Sequence, residues 1–129
     1  MTMDLWMLMA SAALQWTLVM TAATTRLWVN GLLWGFGNRE TPSKPVPKWA
    51  DRVQRSSDNM QENLILLAVC VLVVHAAGAA NDISALGAQV FFGSRVLHSL
   101  VFMAGIPFAR TAAWFVSIVG LGMVVSALF

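Results

Sequence analysis

Four apolar stretches dominate this 129-residue chain. Each is close to the roughly 20 residues that a helix needs to cross a hydrocarbon core about 30 Å thick. With 58% hydrophobic and only 11% charged residues, the chain carries more apolar surface than a water-soluble core of its size can hide. Backbone groups in lipid must pair within their own segment, so each stretch predicts a helix. The expected fold is an all-α membrane protein, a four-transmembrane-helix bundle forming a single domain, with helices at about 5–34, 49–77, 83–104 and 108–128.

The one sizeable polar segment, residues 37–58, contains Pro42, Pro45 and Pro47, which prevent a helix until about Lys48. Pro107 offers a natural start for the last helix. Arg39, Lys44, Lys48, Arg52 and Arg55 all fall between the first two spans, and the positive-inside rule puts that loop in the cytoplasm and both termini outside. The first span opens with Asp4 instead of a basic cluster and reads as a retained membrane helix, not a cleaved signal. Gly31 and Gly35 form a GxxxG pair suited to close helix packing.

Within this apolar frame the ionisable residues are informative, because a charge at membrane depth costs about 2.5–3.5 kcal/mol on insertion scales. Arg52, Arg55, Asn59 and Glu62 are spaced by three, four and three, which places them within an arc of about 80° on one helix. Arg95 and His98 lie on the same half of the third span, and Arg110 opens the fourth, where its charge opposes the helix dipole. Three helices thus bring polar groups to similar depth.

Each group also has a purely structural reading. Arg52 and Arg55 can snorkel to lipid phosphates. Glu62 can pair with Arg55 or Arg95. Arg95 and His98 can bond across helices as assembly glue. The six tryptophans suit interfacial anchoring, with Trp114, one turn after Arg110, the candidate for a binding role.

Other chemistries fail on inventory. The lone Cys70 permits no internal disulfide, and no cluster of ligands suits a metal. The net charge of +2 forms no stripe for nucleic acid, and no glycine-rich phosphate loop follows a strand.

The segment Arg52-Val-Gln-Arg55-Ser-Ser-Asp-Asn59-Met-Gln-Glu62-Asn63 resembles the second-helix signature of the MAPEG proteins, membrane-associated proteins in eicosanoid and glutathione metabolism. Arg95-Val-Leu-His98 is similar to the third-helix motif, and Pro107-Phe-Ala-Arg110-Thr111-Ala-Ala-Trp114 to the start of the fourth helix. The resemblance spans all four helices, and the general organisation looks like that of bacterial members. It implies a homotrimer in the inner membrane, with glutathione as co-substrate bound between protomers on the cytoplasmic side. It also implies glutathione transferase or peroxidase activity on small lipophilic substrates drawn from the surrounding lipids.

By resemblance, Arg52, Arg55, Asn59, Glu62, Arg95, His98, Thr111 and Trp114 would line the glutathione site, and Arg110 would stabilise the thiolate. The chain departs from the eicosanoid branch in having no tyrosine, in Phe102 where the prostaglandin enzyme has one, and in Asp58 where that branch has an arginine. Those departures argue against a dedicated eicosanoid synthase. They suit an alternative, a non-catalytic membrane module holding a lipid headgroup or other anion in the same pocket.

Overall fold

The computed structural model describes residues 1–129. Its elements are α1 (Met3–Asn30), α2 (Leu32–Phe36), α3 (Lys48–Ala76), α4 (Asp82–Ala104) and α5 (Pro107–Ser126). Four of these, all but α2, are long and apolar enough to cross a membrane, and there is no strand.

The first expected helix is interrupted. Gly31, at φ 90°, ends α1, and its N–H donates to the Leu27 carbonyl. Such a positive φ is comfortable only for glycine, so the chain turns here into the short α2. Within the chain the two glycines do not act as one packing face: a Cβ on Gly31 would meet nothing within 4 Å, whereas one on Gly35 would run into Leu27 Cδ1 of α1, against which α2 folds back.

Close helix approach occurs elsewhere. A Cβ on Gly87 of α4 would lie 2.6 Å from the Gly120 carbonyl oxygen of α5, and one on Gly120 would lie 2.7 Å from the Gly87 oxygen. The two glycines let the backbones of α4 and α5 touch, as small residues do where packing, not water exclusion, drives association.

Met60, Leu67, Val71 and Val74 follow heptad-like spacing on α3 and bury one face against Leu18 and Ala22 of α1, Ala88 and Phe91 of α4, and Val124 of α5. The opposite face of α3 exposes Ile65, Leu66, Val69 and Leu72. Nearly as many polar as apolar side chains are buried, a departure from the water-soluble pattern that fits lipid on the outside. Polar contacts bridge the helices: Gln15 Nε2 donates to Ser57 Oγ at 3.2 Å, and Ser56 Oγ to Ser99 Oγ at 3.3 Å.

The two ends of the bundle differ. At one, Ser84 Oγ donates to the buried Asp4 carboxylate, and Asn81 caps α4 in a reciprocal box with Ser84. At the other, α2, the loop to Lys48 and the α4–α5 turn converge, and this is where the arginines collect.

Candidate functional site

The polar stripe of α3 faces the C-terminal end of α4 and the N-terminal end of α5, and between the three helices lies a cavity of about 470 Å³. Arg55, Asn59, His98, Phe102, Arg110, Thr111 and Trp114 line it. The spacing that put Arg55 and Asn59 on one face of α3 is met by Arg110, Thr111 and Trp114, one turn of α5. A smaller adjoining cavity of about 220 Å³ is shared by Arg52, Arg55, Phe102 and Arg110 with the α4–α5 turn.

Arg110 projects over the Phe102 ring, its guanidinium carbon 4.7 Å from the centroid. The same ring meets His98 edge-on, centroids 5.5 Å apart at 69°. Phe102 therefore links the histidine of α4 to the arginine of α5. Arg55 pairs with Asp51 one turn earlier at 3.2 Å, and both side chains are more than half exposed, so the pair is weak and Arg55 remains available. Thr111 Oγ1 donates to the Pro107 carbonyl at 3.1 Å. His98 is 2% exposed and its Nδ1 has no partner within the chain.

Three of the expected residues stand outside the larger cavity. Arg95 is fully buried behind it: Nη2 donates to Asn59 Oδ1 at 2.7 Å and Nε to Met60 Sδ at 3.3 Å, while Nη1 is unpartnered. It orients Asn59 from behind the cavity wall. Arg52 reaches the C-terminal end of α4 instead, where Nη1 donates to the Met103 carbonyl at 3.2 Å. A cation there complements the dipole and satisfies an orphan carbonyl.

Glu62 lies at the edge of the stripe, exposed, and pairs with neither Arg55 nor Arg95. Arg55 finds its acid one turn back at Asp51, and Arg95 finds a neutral amide. Asp58 is engaged by Gln54 Nε2 at 2.8 Å and does not line the cavity.

Sequence reasoning gave Phe102 only as a departure from a family pattern, because an apolar residue in an apolar span carries no local signal. Met60 is a similar case: only the fold reveals its sulfur as the acceptor for a buried guanidinium.

A bundle of four membrane-length helices, with Arg55 and Arg110 lining a pocket at one end, defines an integral membrane protein. The chain belongs to the MAPEG family, whose model matches residues 5–129. Comparison with curated proteins gives no match, and comparison with solved structures gives none. Family membership supports a membrane protein of glutathione or eicosanoid metabolism.

Proposed function

We propose that the chain is a glutathione-dependent transferase and peroxidase acting on lipophilic electrophiles, working as a homotrimer in the bacterial inner membrane with the 37–58 loop in the cytoplasm. The observation that carries this reading is the pairing of Arg55 and Arg110 across one cavity that no carboxylate lines. Arg55 suits a carboxylate of glutathione, which it can grip as a bidentate fork, and Arg110 across the cavity is left to face the thiol. Asn59, held by Arg95, offers amide hydrogen bonds beside them.

A free thiol has a pKa of about 8.5 and is mostly protonated at neutral pH. Lowering it to about 6.5 requires about 2.7 kcal/mol, within reach of a guanidinium about 4 Å from the sulfur, where the attraction near a protein surface is about 4 kcal/mol. Arg110, set on the Phe102 ring, would be the group to do so. The thiolate would displace a halide from an activated aromatic carbon. Alternatively it would attack the distal oxygen of a lipid hydroperoxide, releasing the alcohol and a sulfenic acid that a second glutathione reduces to disulfide and water.

Purified protein is assayed with a chloronitroaromatic electrophile and with a lipid hydroperoxide. At neutral pH Arg110→Ala is expected to lose about 25-fold in turnover, as the thiolate share falls from about three-quarters to about 3%. Unchanged turnover would remove Arg110 from the mechanism.

A second reading is favoured by one observation. Glu62, the acid suited to the glutathione ammonium, stands outside the cavity. A pocket that takes a simple anion without an ammonium would need no such acid. Calorimetric titration separates the two: saturable binding of glutathione but not of inorganic phosphate supports the enzyme, and the reverse supports the anion module.

A further inference from the structure

On the opposite side of α3 from the arginine cavity, a second depression of about 330 Å³ lies where α1, α2 and α3 meet. Arg26 and Arg39 line it together with Met20, Leu27, Trp34 and Phe36. The proposed function leaves it unused. We propose that this groove is a binding site for an anionic phospholipid, with the headgroup phosphate between Arg26 and Arg39 and the start of an acyl chain along Met20, Leu27 and Phe36.

Depth supports this occupant. Asp4, at the far end of the bundle, and Arg26 are separated by about 33 Å along a helix rising 1.5 Å per residue, about the thickness of the hydrocarbon core. Arg26 therefore stands at headgroup level. Beside it, Trp28 is 89% and Leu33 93% exposed, and Leu32 and Phe36 are exposed too. A short helix bearing such side chains at that level lies in the interface with its apolar residues in the acyl boundary. The groove thus opens where a phospholipid already is.

The groove is also built in advance. Asn30 ties the following loop to α1, donating from Nδ2 to Ser43 Oγ at 2.9 Å and accepting from the Lys44 N–H at 2.7 Å. Trp34 Nε1 donates to the Thr41 carbonyl at 2.8 Å. Arg39 is held at φ 55°, an uncommon value for a residue with a Cβ, with its guanidinium 5.2 Å from the Trp34 ring centroid and Nη2 3.4 Å from the Gly35 oxygen. These two contacts favour a guanidinium turned towards the groove.

Charge points the same way. Neither arginine is paired with an acid, and no carboxylate lines the groove; Asp58, on the same side of α3, is engaged by Gln54. A volume near the lower end of ligand pockets seats a phosphate and glycerol and leaves the rest of the lipid in the bilayer.

The test places the full chain in nanodiscs of phosphatidylcholine and in nanodiscs with an equimolar share of phosphatidylglycerol. Native mass spectrometry then counts retained lipid. Phosphatidylglycerol should be retained about tenfold more tightly than phosphatidylcholine, whose choline cation cancels the phosphate charge and is repelled by the two arginines. Arg26→Gln with Arg39→Gln should abolish that preference, and Lys44→Gln, outside the groove, should leave it intact.

Equal retention of the two lipids by the unaltered chain overturns the proposal without recourse to any variant. An equal loss in Lys44→Gln overturns it too, since that is diffuse surface attraction. A disulfide forming between copies through Phe36→Cys in a Cys70→Ser background, with no lipid retained, would assign the groove to a second copy of the chain and overturn it as well.

Discussion

The Phe102 ring carries the Arg110 guanidinium on one face and meets His98 at its edge, so a single apolar side chain positions two of the polar groups that border the cavity. The family resemblance marks this position as the loss of a tyrosine hydroxyl. Geometrically it is a platform. A cation held over an aromatic face keeps its charge and its donors while losing rotamer freedom, an arrangement worth from about 0.5 kcal/mol when exposed to about 2 kcal/mol when desolvated.

Replacing the platform tests that role. Phe102→Leu keeps an apolar side chain but removes the ring, and glutathione affinity is expected to weaken by about tenfold, matching a cation–π contribution of that size. Phe102→Tyr keeps the ring face and should bind as tightly as the unaltered chain or more so. Calorimetry on the three proteins decides it: equal affinity for the leucine variant would mean that Arg110 needs no platform.

Arg95 is expected to matter for assembly more than for ligand contact. Asn59→Leu leaves its guanidinium fully buried with only the Met60 sulfur as acceptor, and a lost hydrogen bond to a charged group costs about 1.5–3 kcal/mol. The double change Asn59→Leu with Arg95→Met removes both partners and should recover much of that loss, since no buried donor is then stranded. Unfolding of each variant in mixed micelles with a denaturing detergent measures the difference. If the double variant is less stable than Asn59→Leu alone, the two residues are not acting as a pair.

The four spans were legible in the sequence because lipid leaves few options: about 20 apolar residues there must be helical. Pro47 and Pro107 likewise bracket helix starts by steric rules that need no tertiary information. The arginine stripe on α3 was legible from spacing alone, whereas for Arg110 of α5 only a similar depth could be read.

What could not be read was which members of the stripe share the cavity. That depends on how far α4 and α5 extend across α3, so Glu62 at one edge was indistinguishable from Asn59 within it. Gly31 and Gly35 satisfied a packing motif yet sit at a break, whereas Gly87 and Gly120 carry the contact and are marked by nothing local.

The α4–α5 contact supplies its own test. Gly87→Ala places a Cβ against the Gly120 oxygen and the Val124 nitrogen, both backbone atoms that move only with their helix. Overpacking of this kind costs about 1–3 kcal/mol. Gly93→Ala meets nothing within 4 Å and should be neutral or slightly stabilising, because alanine is favoured over glycine inside a helix by roughly 0.8–1.0 kcal/mol. Thermal denaturation in one detergent compares them directly, and equal melting temperatures would contradict the close approach of the two backbones.

Arg52 and Gly105 provide the last prediction. Gly105 ends α4 in the left-handed region at φ 79°, and a Cβ there would lie 2.6 Å from Arg52 Nη1. Gly105→Ala therefore acts twice. It imposes left-handed backbone strain of about 1–2 kcal/mol, and it pushes the guanidinium off the Met103 carbonyl. Arg52→Gln removes the cation without the strain and should cost less, about 0.3–1 kcal/mol from the lost dipole partner.

If Arg52 serves the α4–α5 turn and not the ligand, Arg52→Gln should leave glutathione affinity within about twofold while lowering the melting temperature. Loss of a full ion pair to a carboxylate would instead weaken binding by tenfold or more. A titration and a melting curve on the same preparation distinguish the two roles. Unchanged stability with sharply weakened binding would return Arg52 to the ligand.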